Sequence, residues 1–349
     1  MNMKNKLINA FIVALTCLLA IPSMQAASPK KQTPEEKGLA SINKLSAQSL
    51  VGFLASDELE GREAGWKGGR IAGNYIVSLL QQWGLQPVFE DYFQPFEAYR
   101  VERQKRGQLQ IHPDSIAAIK AKGVHQKYNM RNILVKIEGK RTDEIVILGA
   151  HYDHIGYDPM LDGDKIYNGA DDNASGVAAG LQIVRAFLAT GQQPERTVIF
   201  AFWDGEEKGL LGSRYFAMTY PEIQKVKGYL NFDMVGRNNN EAKPKHVVYF
   251  YTEGTPAFGD WLKQDIQKYN LQLEPDYRPW DKPVGGSDNG TFARLNIPIM
   301  WYHTDGHPDY HLPGDEASKI NYDKLVEITK ASFLGMWKMA NEDFSSSKK

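Results

Sequence analysis

"TVIFAFWDGEEKGLLGSRYF", residues 197–216, runs from an apolar segment straight into acid. Val198, Ile199, Phe200, Ala201, Phe202 and Trp203 follow one another with no polar position between them. Such a run reads as a strand covered on both faces. It ends on Asp204, Glu206 and Glu207. Three carboxylates where a buried strand ends repel one another and resist desolvation. Positive charge has to be close by.

Outward from this stretch the pattern repeats. Strands are expected at residues 132–137, 144–150, 197–203, 228–233, 247–252 and 297–302, several of them β-branched runs without alternation. Helices are expected at 174–189, 255–269 and 322–341. Helical spacing also marks "GLASINKLSAQSLVGFLAS" and "GGRIAGNYIVSLLQQWGL", with Gly84 as the stop of the second. Strand alternating with helix argues for an α/β layered sheet. No repeat and no low-complexity linker follows residue 37, so residues 38–343 read as one domain. Residues 27–37 read as a flexible lead and 344–349 as a frayed tail.

The chain has 349 residues and a formal net charge of −1, enough length for a large core. Its basic residues form no stripe, so neither nucleic acid nor an anionic membrane is expected as partner. At the N-terminus, Lys4 and Lys6 precede an apolar segment over residues 10–21, and small residues follow at Ala26 and Ala27. This reads as a cleaved secretory signal over residues 1–26, too short and wrongly flanked for a stable membrane span. Cys17, the only cysteine, lies inside it. The mature chain would carry no disulfide, no thiolate nucleophile and no cysteine–metal site. Its place would be the periplasm or the outside.

Further stretches put polar residues at strand ends. "ILGAHYDHIG" carries His151, Asp153 and His154; "YNGADDNASG" carries Asp171, Asp172 and Asn173; "LNFDMVG" carries Asp233. Taken singly, each has an ordinary reading. The histidines could be half-buried core residues, Asp172 and Asn173 a helix cap, and Glu206–Glu207 a solvated pair. Asp233 resists this most, because a lone Asp in "YLNFDMV" is costly unless hydrogen-bonded or ligating. "IPIMWYHTDGHPDYHLPGDE" adds His303, His307 and His311 after a strand. In open α/β sheets such ends converge on the crevice beyond the carboxyl ends of the strands. Divalent cations are the simplest compensation for so much negative charge. Ligands of imidazole and carboxylate without thiol suit a catalytic zinc-type site.

In order, "GAHYDHIG", "GADDNASGVAAGL", "FWDGEEKGLLGSRYF", "NFDMVG" and "HPDYHLPGDEASKI" resemble the M28 family of zinc aminopeptidases. Looser similarity reaches back through "GREAGWKGGRIAGNYIVSLLQQWGLQP". The resemblance implies a three-layer α/β/α fold around a mixed, mostly parallel sheet. It implies two Zn2+ ions, with Co2+ or Mn2+ as substitutes, and peptide substrates with a free N-terminus. Carried over, Asp172 bridges both ions, His151 and Asp233 complete one, and Glu207 and His311 complete the other. Glu206 becomes the general base. Asp153 accepts a hydrogen bond from His151, fixing its tautomer. The Asp172–Asn173 peptide bond is expected to be cis.

Two departures stand out. Many relatives have Ser-Asp-His where this chain has Ser287, Asp288 and Asn289. The segment 96–131 is too short for the protease-associated domain that many secreted relatives insert. Substrate contacts are expected from loops at 237–245 and 277–286. The rival readings are a one-zinc glutaminyl cyclase on a similar scaffold, a two-metal carboxypeptidase or deacylase, and a receptor-like binding protein that has lost its ligands. The cyclase fits "HYD" and "DGEE" but matches "DDNASG" less well, and the binding protein conflicts with a full ligand set.

Overall fold

A computed structural model describes residues 32–101, 108–280 and 286–344. The chain builds α1 (Pro34–Ser41), α2 (Lys44–Leu54), α3 (Lys67–Gln82), β1 (Gln86–Pro87), β2 (Phe93–Val101), α4 (Pro113–Ala121), β3 (His125–Ile137) and β4 (Arg141–His151). It continues through α5 (Gly176–Thr190), β5 (Arg196–Trp203), α6 (Leu211–Thr219), β6 (Val226–Phe232), β7 (His246–Tyr251), α7 (Ala257–Tyr269), β8 (Glu274–Pro279), α8 (Asn289–Ala293), β9 (Ile299–His303) and α9 (Tyr322–Asn341).

The unbroken apolar runs become the middle of one sheet, ordered β1-β3-β5-β4-β6-β9-β7-β8, with β2 also paired to β3. Pairing is parallel from β5 through β4 and β6 to β9, and between β7 and β8. It is antiparallel where β3 meets β1, β2 and β5, and where β7 meets β9. The sheet is therefore mixed, parallel at its centre and less so outward than expected. Residues 138–140 reverse the chain between β3 and β4, and so short a connection cannot make a parallel crossover.

Both faces of the central strands are covered. Val146, Leu148, Val198, Phe200 and Phe202 face a core shared with α2, α3, α5 and α9. Ile145, Ile147, Ile199, Ala201 and Trp203 face a second core, with Phe216 from α6 and Phe292 from α8. Alternation exists, but both sets are apolar because each face carries helices. This is a three-layer α/β/α arrangement.

Several boundaries differ from the sequence reading. The expected flexible lead is helical from Pro34, because Thr33 and Glu36 form a reciprocal capping box. Asp233 stands one residue past β6 rather than within it. Strands β2 and β8 were not expected: β2 contains Pro95, and β8 begins and ends among prolines and charges, which weakens a strand signal. The described residues from Thr33 onward form one compact unit. The segment expected to be a signal, Cys17 and the residues beyond Phe344 lie outside the described residues. Among the described residues no helix is long and apolar enough to cross a membrane.

Candidate metal centre

The carboxyl ends of β4, β5, β6 and β9 point into one crevice, the expected position for a site in a sheet of this kind. His151 is the last residue of β4, and Asp153 and His154 follow it directly. Glu206 and Glu207 follow β5, and Asp233 follows β6. Asp172 arrives from a tight turn before α5, and its peptide bond to Asn173 is cis. His311 lies in the loop after β9.

The two oxygens of Asp172 face different imidazoles. Its Oδ1 is 3.3 Å from His151 Nε2, which is also 3.6 Å from Asp233 Oδ1. Its Oδ2 is 3.1 Å from His311 Nε2, which is also 3.2 Å from Glu207 Oε2. Donors 2.0–2.1 Å from a tetrahedral zinc ion stand about 3.3 Å from one another. Both groups have edges of that length. The main-chain carbonyl of Asp153 accepts from His151 Nδ1 at 3.1 Å. A carbonyl only accepts, so Nδ1 carries a proton, and with an ion bound Nε2 would be the nitrogen that presents its lone pair. That Nε2 is buried with no hydrogen-bond partner and looks at carboxylate oxygens. A cation between them resolves the conflict, so the residues fit a pair of metal ions.

Asp153 departs in detail from the expectation. Its carboxylate stands 3.7 Å from His151 Nδ1, too far for a hydrogen bond. It accepts instead from the backbone amides of Glu206 at 3.0 Å and Glu207 at 3.4 Å. Its main chain orients the histidine, and its side chain orients the two glutamates.

The adjacent glutamates sit in opposite surroundings. Burial pushes Glu206 well above the usual carboxylate range; the His151 charge opposes this, and Asp233, Asp288 and Glu207 add to it. Burial and Asp172 also act to raise Glu207, yet hydrogen bonds from His154 and His311 hold it below the usual range. Hydrogen bonds to Asp172 and Glu207 push His311 up to about 10. Burial opposes a charged His151, but Glu206, Asp172 and Asp233 outweigh it and raise the group well above its usual value. These are the marks of a site with strongly coupled charge.

Two residues here were not assigned a role from the sequence. Arg62 is buried. Its guanidinium donates to the carbonyls of Tyr152, Leu54, Asn168, Gly169 and Asp172, tying down the turn that carries Asp172. Burial lowers it to about 10, against the pull of Asp172, Asp315, Asp153 and Glu207. It supplies fixed positive charge next to the acidic crevice. His154 is buried and places Nδ1 2.7 Å from Glu207 Oε1. No local signal separates either residue from an ordinary Arg or His; only the tertiary contacts do.

The three histidines of the C-terminal tract separate. His311 joins the centre. His303 donates from Nδ1 to the Asp233 carbonyl at 2.7 Å and lines the crevice. His307 lies behind it, with Nε2 3.4 Å from Asp171 Oδ2. Asp315 accepts from the amides of Asp171 and Asp172 at 3.0–3.1 Å, a second brace on the turn. The crevice encloses a cavity of about 320 Å³ bordered by Glu206, Met234, Gly286, Trp301, His303 and Tyr310. Of the expected pocket loops, 277–286 contributes Gly286 and 237–245 contributes nothing to this lining, while residues 281–285 lie outside the described ones. Asn289 is buried at the start of α8.

Residues 132–334 match the profile of Peptidase family M28. A probable aminopeptidase of Saccharomyces cerevisiae is 33% identical over 228 residues, covering 61% of this chain and 59% of its own. This chain thus spans less than two thirds of that relative's length. The crystal structure of the Legionella pneumophila LapA aminopeptidase superposes with a TM-score of 0.64 at 20% identity, covering 88% of this chain and 75% of that one. A glutaminyl cyclase from Fimbriiglobus ruber superposes with a TM-score of 0.63 at 16% identity, covering 85% of this chain and 95% of that one. At such identities the two structures establish the shared fold.

Proposed function

This chain belongs to peptidase family M28, and from that membership we propose that it is a two-metal aminopeptidase that removes N-terminal residues from peptides. One observation carries the reading: Asp172 turns its two oxygens toward separate imidazole–carboxylate groups, at 3.3 Å and 3.1 Å. Asp172 would serve both ions, His151 and Asp233 would hold one, and Glu207 and His311 would hold the other. Two bound divalent ions, zinc or else cobalt or manganese, supply Lewis acidity and lower the pKa of water.

Glu206 lines the cavity and takes the proton of the attacking water, then returns it to the leaving amine. Its raised affinity for protons suits that task, whereas Glu207, held ionised, suits ligation. Asp153 aims both glutamates through their amides. Carboxylates along the crevice favour a positively charged α-amine over a blocked one. Pure apoprotein reloaded with zinc, assayed for metal content and for release of amino acids from free-amine peptides, tests this. Two ions per chain and stepwise N-terminal release are expected; full activity with one ion contradicts it.

The protein is exported, loses residues 1–26 to a signal peptidase, and works in the periplasm or outside as a single domain over 38–343 extended by α1. The Lys-flanked apolar segment over residues 10–21, followed by small residues at Ala26 and Ala27, supports this. Mass spectrometry of exported protein should find an N-terminus near Ala27, and a chain still beginning at Met1 would refute it.

A further inference from the structure

We infer that His154 is a positioning residue for the ion at Glu207 and His311: its Nδ1–H grips Glu207 Oε1, so that the carboxylate offers Oε2 to the ion. The inference rests on the two-ion reading of the centre. His154 could also be taken for a ligand, since it, Asp172 and Glu207 lie close enough to share an ion. Distance decides between the two roles. His154 Nδ1 is 2.7 Å from Glu207 Oε1. That is the length of a charge-assisted hydrogen bond, and shorter than the separation of about 3.3 Å between two donors on one zinc ion. His311 Nε2, at 3.1 and 3.2 Å from Asp172 Oδ2 and Glu207 Oε2, meets the ligand separation instead. From Asp172 Oδ2, His154 Nδ1 is 3.9 Å away.

An ionised carboxylate only accepts, so the proton of this bond sits on His154 Nδ1. The opposite nitrogen, Nε2, is buried with no hydrogen-bond partner. A proton there would be an orphan donor, so the Nδ1–H tautomer is the one the pocket holds. The ring is also fixed in place. A Cβ added at Gly169 would come within 2.6 Å of its Cγ and Cδ2, and its backbone amide donates to the Arg62 carbonyl at 3.2 Å. The imidazole therefore has little freedom to swing toward the ion. Gripping one oxygen of Glu207 leaves the other with a set direction, which is how outer hydrogen bonds raise metal affinity.

The test is zinc titration of chelator-stripped protein, read by competition with a chromophoric chelator, for wild type, His154→Phe and His154→Asn. Phe keeps the ring and loses the donor; the Asn amide restores a donor near the Nδ1 position. One of two wild-type sites should weaken about 10–100-fold in His154→Phe, with the other unchanged, and His154→Asn should recover most of the loss. Unchanged binding in His154→Phe overturns the inference, and so does an equal loss in both variants. Long-range ¹H–¹⁵N spectra of the wild type give a readout independent of how the variants fold. They should show an Nδ1–H His154 before and after zinc, and a zinc-shifted Nδ1 would make it a ligand and overturn the proposal. If wild type takes up one ion only, the two-ion reading itself falls, and the inference with it.

Discussion

Glu206 and Glu207 share a backbone and differ in everything their carboxyls meet. Glu207 receives His154 at 2.7 Å and stands 3.2 Å from His311, whereas Glu206 is raised by burial and lies along the cavity. Glu206→Gln keeps size and polarity but cannot take a proton, so kcat should fall about 10²–10⁴-fold or more with both ions retained. Glu207→Gln should lose one ion in part and regain activity with excess metal, which Glu206→Gln should not. Metal analysis beside kcat reads both; metal loss confined to Glu206→Gln would reverse the roles. At this scale, His151, Glu206, Glu207 and Asp233 were legible as polar residues at or just past the ends of apolar runs, Asp172 and His311 stood out in polar and His-rich tracts, and the roles of all six came from the resemblance to the M28 family. Arg62 was not, and His154 was singled out beside His151 without a role. Arg62 lies about a hundred residues in sequence from the turn it braces, bonding the carbonyls of Asn168 and Gly169. Nothing adjacent to it in the chain announces that contact.

Among the elements, the core of the sheet holds the site through close packing and one buried hydrogen-bond chain. Trp203 of β5 donates to the Tyr229 hydroxyl of β6 at 3.0 Å, Tyr229 donates to Asn231 at 2.8 Å, and Asn231 to Ser287 at 3.0 Å. Gly149 of β4 lies against the first link, where a Cβ would sit 2.1 Å from the Tyr229 oxygen and 2.5 Å from Trp203 Nε1. Gly149→Ala should therefore cost about 1–3 kcal/mol as overpacking, measured by urea unfolding; a neutral result would mean these strands are free to shift. On α9, Lys324 is buried and donates to the carbonyls of Arg237 and His246. Burial lowers it to about 8, against the charges of Asp171 and Glu241. The unfolded lysine keeps its proton to about 10.4, so between these values the unfolded state binds more protons and stability should rise with pH. Urea unfolding at pH 7 and 9.5 should show wild type gaining on Lys324→Met over that interval; a constant difference would show that the lysine stays charged. The central strands and α9 could be read from apolar runs and period. The pairing partners could not, because the turn at 138–140 and the prolines of β2 and β8 act through geometry rather than composition.

At the scale of the molecule, fold and reaction come apart. The three-layer frame superposes almost equally well on an aminopeptidase and on a glutaminyl cyclase, with TM-scores of 0.64 and 0.63. Function therefore has to be argued from the site. On the reading proposed above, Asp172 would serve two ions and Glu206 would deliver water. The most direct measurement gives the zinc-loaded protein a set of peptides that differ only in their first residue, glutamine included, each with its α-amine free or acetylated, and weighs the products by mass spectrometry. Whole N-terminal residues should be released from the free peptides, and the acetylated ones should not react. Loss of ammonia from the glutaminyl peptide at full chain length, or cleavage of the acetylated peptides at a comparable rate, would contradict it.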